Sequence, residues 1–261
     1  MISSEDLYLL NSKMNSAKRI TYDGIKPSFY DRSAIDFESD FFHRCGLGNN
    51  TVLSHLHNEQ DFEARISPRT DIIQRFVGTQ FPLSLEEKIG ILCGLSTFHL
   101  DIRLQAVDER RITFPTDRVL IETDRIRAIG KHALKMLLDV ETVFMNERYL
   151  SSSTKDIFDS LDFFNNEQGV IPEFMKRNLL YNCILPYRGA MKFGRIADET
   201  TYAQVKAGIL DRTSIGSLYT MIGLLTIKFD RQKVRESFLL KKVIHGGLGI
   251  INLTSEALTR S

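Results

Sequence analysis

The sequence predicts an all-α or nearly all-α fold: a bilobed helical bundle around two buried apolar helices, with little or no sheet. Three observations carry that expectation. Two runs, Ile89 to Leu100 and Ile215 to Ile227, lack a polar face, so helices there must be surrounded on all sides. Ile126, Ile129, Ala133, Leu137, Val140 and Phe144 recur at spacings of 3, 4, 4, 3 and 4, the mark of one buried stripe on an α-helix. Strand signals are few and short, Val243-Ile244 and Ile250-Ile251 being the best.

Along the chain, Ser3 with Asp6 is a capping signal for a short helix carrying Leu7, Leu10 and Met14, which reads as an arm. Residues 20–50 are irregular, with turns at Asp23-Gly24 and Gly46 to Asn50 around Tyr22, Phe29, Tyr30, Phe37, Phe41 and Phe42. They suggest a segment wrapped across the helical body. Ser67-Pro68 opens a helix that Gly78 ends, because proline is tolerated in a first turn and glycine past a last one. Ser84-Leu85-Glu86-Glu87 is a capping box that starts the first apolar helix, where Gly90 and Gly94 allow close approach of another helix. Thr116-Asp117 begins the striped helix, which runs to about Met145. Asn165 to Gly169 forms a turn, Pro172 starts the next helix and Pro186 stops it. Gly216 and Gly223 lie in the second apolar helix, and Arg231 to Lys242 reads as an amphipathic basic helix ended by Gly246-Gly247.

With 261 residues, the chain is long enough for one sizeable domain or two lobes. The polar run Ser151 to Thr154 is the best boundary, dividing an N-terminal helical lobe, 1–150, from a basic C-terminal lobe, 151–261. A hydrophobic content of 43% with only 6 Pro and 16 Gly leaves little room for long disordered tracts. Three cysteines, Cys45, Cys93 and Cys183, form no disulfide framework and read as reduced thiols. No apolar stretch reaches bilayer length, and the acidic start is unlike a signal peptide, so a cytoplasmic protein is expected.

The formal charge is only +1, but it is unevenly spread. Residues 1–130 hold 16 Lys and Arg against 19 Asp and Glu, whereas 168–250 hold 13 against 6, a net of +7. Such an excess attracts phosphate. Between Lys176 and Arg195, cations and rings interleave with no acid among them: Lys176, Arg177, Tyr181, Tyr187, Arg188, Lys192 and Arg195, with Phe193. Cations suit phosphates and flat rings suit unstacked bases. Lys228, Arg231, Arg235 and Lys242 form a second basic row, and Arg127, Lys131 and Lys135 a third at one-turn spacing.

No P-loop, dinucleotide fingerprint, nucleophile elbow, HExxH or CxxC pair is present, and Gly246 to Gly249 follows a helix where a phosphate cradle would precede one. His43-x-Cys45 and His55-x-His57 supply four possible ligands of the kind zinc takes, but at a tighter spacing than zinc signatures use, and no cofactor is expected. The expectation is a non-enzymatic, self-assembling protein of nucleocapsid type. It would package single-stranded RNA by its sugar-phosphate backbone and associate as a homo-oligomer. A helical matrix or scaffold protein is the alternative. A third possibility comes from Arg127-x₄-His132, which resembles the Arg and His pair of the HEPN family of helical ribonucleases, where the pair serves phosphodiester cleavage. That resemblance covers two residues, and Ala128 stands where the family commonly has a polar one.

Overall fold

In the computed structural model, residues 59–97, 99–105, 118–145, 166–186 and 199–253 are described. The N-terminal arm, the aromatic segment, the possible zinc ligands His43, Cys45, His55 and His57, and the Ser151 to Thr154 boundary lie outside them. The described chain is mostly helical, with one two-stranded sheet.

Helix α1, Glu59–Val77, starts earlier than its Ser-Pro signal suggests and carries Pro68 in its interior. Its inward stripe, Ile66, Thr70, Ile73 and Val77, is buried. Gly78 ends it at φ 101°, a conformation that glycine adopts without steric cost. The Gln74 amide then donates to the Gly78 and Phe81 carbonyls and accepts from Leu83 N at 3.0 Å, fixing the loop into the next helix.

Helix α2, Leu85–Leu92, opens on the expected capping box: Glu87 N donates to Ser84 Oγ at 3.2 Å and Ser84 N to Glu87 Oε2 at 2.7 Å. Its apolar run was expected to continue as helix to Leu100. Instead α2 stops at Leu92 and His99–Arg103 forms strand β1, antiparallel to β2, Arg118–Glu122. The stop is at Gly94, whose backbone lies against α5, Glu199–Lys228, so closely that a Cβ there would collide with Thr213 O. In β1 the burial alternates, Leu100 and Ile102 inward with Asp101 and Arg103 outward, as a strand with one wet face requires. The helix expected from Thr116 therefore begins only at Thr123, after β2.

Helix α3, Thr123–Met145, crosses α5, and glycine sets the crossing: a Cβ on Gly130 would strike Tyr219 O, and one on Gly223 would strike Ile126 O. That contact turns α3 onto Ile126, Gly130, Leu134, Leu137, Leu138 and Glu141, all buried. Of the expected stripe, Ile126 and Leu137 are buried, Ala133 is half-buried, and Ile129 and Val140 face outward. The side chain of Phe144 is outside the described part.

Helix α4, Glu167–Arg177, is capped by Asn166 and has Pro172 inside it, where proline was expected to start the helix. It ends in a Schellman motif, Leu180 N to Met175 O at 2.8 Å and Leu179 N to Lys176 O at 3.1 Å, with Leu179 at φ 60°. A single 3₁₀ turn, Tyr181–Cys183, follows, and Leu185 N joins Leu92 O at 2.9 Å.

The second apolar run lies in α5 as expected, buried continuously from Gly216 to Leu225. Arg231 to Lys242 was expected to form an α-helix. It is α-helical only over α6, Arg231–Val234, and winds as a π-helix over Arg235–Ile244. The apolar spacing explains this. Val234, Leu239 and Ile244 are five apart, as are Phe238 and Val243, and all five are buried. In an α-helix, residues five apart sit about 140° from one another; i to i+5 winding brings them into line. The two best strand signals thus fall in this helix and in the helical turn at 250–253.

All these elements share one contiguous core. It draws on Ile66 to Leu138 and on Ile171 to Leu253 alike, with Phe76 edge-on to both Phe174 and Phe238 and Phe81 edge-on to Phe229.

Candidate nucleic-acid interface

The basic rows reach the surface by different routes. On α3, Arg127 is half-buried and its guanidinium donates to Gly94 O at 2.9 Å and Ser96 O at 3.2 Å. Burial lowers its pKa and Asp124 works against that shift. Arg127 therefore ties α3 to the turn that follows α2, through two carbonyls beyond the end of that helix. His132, five residues on, is exposed. The helix sets the two about 140° apart.

Lys131 and Lys135 lie on the α4 side of α3. Lys131 Nζ is 2.8 Å from Glu167, the first residue of α4, and 6.0 Å from the centre of the Tyr219 ring. Burial, then the charge and hydrogen bond of Glu167, push the Tyr219 phenol upward in pKa. Glu167 thus joins α3, α4 and α5 through one carboxylate. Lys135 is exposed at the lip of a small cleft over Leu134, Leu138, Val170, Tyr219 and Ile250.

At the other end of α4, Lys176 Nζ lies 4.9 Å above the Tyr181 ring and 3.9 Å from Asp211 of α5, whose carboxylate also accepts from Tyr181 Oη at 2.8 Å. Burial, the hydrogen bond and the Asp211 charge all raise the Tyr181 pKa, so its ring is held neutral and fixed. Arg177 pairs with Glu173 one turn back at 2.8 Å. Tyr187, Arg188, Lys192 and Arg195 lie outside the described residues.

The C-terminal row does not occupy one face. Lys228 is in the core, 2.7 Å and 2.9 Å from the two oxygens of Glu87, with side-chain exposures of 7% and 2%. Lys242 donates to Phe76 O in the last turn of α1, where the helix dipole favours a cation. Arg235 lies 3.7 Å from the buried Glu141, which also meets His245 Nε2 at 2.9 Å, and Arg231 is exposed. The structure brings together Lys131 and Lys135 beside the α4 start, and Lys176 with Tyr181 about 14 Å along that helix.

Sequence reasoning missed the acids. Asp211, Glu167 and Glu141 are distant in sequence from the cations they meet, and only the helix crossings bring them close. Among the described residues, no group of three or more His, Cys, Asp or Glu is placed to hold a metal ion. No helix among them is long and apolar enough to cross a membrane. No family model matches the chain, and no curated protein or solved structure is significantly similar to it.

Proposed function

We propose that this chain is a non-enzymatic, self-assembling RNA-binding protein of nucleocapsid type that holds single-stranded RNA by its backbone without sequence preference. The observation that carries the reading is the Lys176 and Tyr181 pair, a cation fixed over an aromatic ring at the head of the acid-free run from 176 to 195. Stacking on such a ring tolerates any base, and the cation takes the phosphate. Lys135 and Arg231, on α3 and α6, are exposed cations as well. In a polarisation titration, uridine and cytidine oligomers of equal length should bind with similar affinity at low salt and weaken together as salt rises. No binding at low salt, or strong preference for one sequence, contradicts the reading.

A second reading is a helical scaffold protein. It is favoured by the carboxylates that meet Lys131, Lys176, Arg177 and Arg235, which lower the field available to RNA. Association of the chain without any RNA affinity would select it.

A further inference from the structure

The outward face of α3 carries an apolar stripe that the core does not use. Ile129 is 41% exposed, Met136 67% and Val140 37%, and Ala133 is half-buried between them. The spacings of 4, 3 and 4 match the seam by which one helix packs along another. Single exposed apolar side chains need no explanation, but a stripe in register does. One border of the stripe is formed by Arg125, His132 and Asp139, seven residues apart.

We infer that this stripe is the contact between two copies of the chain, with α3 packed antiparallel against α3 of the partner about a twofold axis. The residues are self-complementary only in that sense. With Ile129 opposite the partner's Val140, Ala133 falls opposite the partner's Met136, so the most protruding side chain meets the smallest, and each pairing occurs twice. The same register sets the partner's Asp139 level with Gly130, about 3 Å along the axis from His132 and about 7.5 Å from Arg125. A carboxylate thus enters between a guanidinium and an imidazole at both ends of the contact. A parallel arrangement would set Met136 level with Met136 and Ala133 level with Ala133, and would place the two charged borders on opposite sides of the seam, where the Asp139 carboxylate meets neither Arg125 nor His132. An isologous contact of this kind closes on itself as a dimer. Lys131 and Lys135 remain on the opposite flank of α3, towards α4, and stay accessible.

This inference rests on the self-assembly half of the proposed function and not on RNA, so it is tested with RNA absent. Sedimentation equilibrium of the full chain between about 1 and about 100 μM should show reversible dimers, and Met136→Glu should weaken association at least tenfold. Because Met136 lies outside the core, Met136→Glu should melt like the native chain at a concentration where both are monomeric. Mixing Ala133→Cys with Met136→Cys protein under mild oxidation should give more interchain disulfide than either variant alone. The inference is overturned by a chain that stays monomeric, by association that Met136→Glu leaves intact, or by cross-links that form only between like positions. RNA binding by a monomer would sink the dimer and spare the RNA reading; a dimer without RNA affinity would do the reverse.

Discussion

Lys228 stands in a basic run of the sequence and yet ends inside the core, where it pairs with the buried Glu87. Glu87 also accepts from the Ser84 amide, so a single carboxylate starts α2 and holds the end of α5. Removing one partner leaves the other charged and dry, which costs far more than the pair itself contributes. Lys228→Met should destabilise the protein by about 3–5 kcal/mol in urea unfolding, and Glu87→Gln combined with it should recover part of that loss. Equal losses in the single and double variants would show that the two side chains are not coupled. Cys93 makes a second prediction at this scale. Burial pushes its thiol from 9.0 up to about 12, so between those values the unfolded chain releases a proton that the folded chain keeps. Its contribution is therefore complete below pH 9 and is lost as pH rises towards 12, at up to about 1.4 kcal/mol per unit. The unfolding free energy of Cys93→Ala should fall less steeply over that window. The native thiol should resist alkylation at neutral pH until the protein unfolds.

At the scale of elements, glycine decides how the helices cross. The α3 and α5 backbones touch at Gly130 and Gly223, with no room for a methyl group at either. Gly130→Ala and Gly223→Ala should each cost several times what Gly208→Ala changes. A Cβ at Gly208 meets nothing within 4 Å, and the substitution should raise stability by about 0.5–1 kcal/mol through helix propensity alone. Thermal unfolding of the three variants distinguishes crossing from propensity. The same contrast explains which elements could be read in advance. The capping box of α2 was legible because its hydrogen bonds join residues three apart. The buried run in α5 was legible because no rotation of that helix gives it a polar face. The end of α2 was not, since it depends on Gly94 meeting Thr213, far along the chain. The α3 stripe was half legible: periodicity identified an apolar side, but Gly130, which has no hydrophobicity to register, selected the face that is buried. The π-helix lay in view as a five-residue apolar spacing, which a search for 3.6-residue periods passes over.

For the whole molecule, a nearly neutral chain concentrates its positive charge late in the sequence, and the fold then spends much of it internally. Arg127, Lys228 and Lys242 tie helices together, while Lys131, Lys176 and Arg235 meet acids brought by other elements. The basic residues were legible as a list, but their partners were not, because charge in sequence carries no direction in space. Lys135, Lys176 and Arg231 are exposed, on three elements, and are the cations on which the proposed RNA binding depends. The most direct measurement is the slope of log affinity against log salt for single-stranded RNA, in the native chain and in a Lys135→Ala, Lys176→Ala, Arg231→Ala variant. Each phosphate contact on a single strand contributes about 0.7 to that slope, so the triple variant should bind more weakly to every sequence and lose about two units of slope. An unchanged affinity and slope, with the variant fully folded, would contradict the assignment of RNA to this surface.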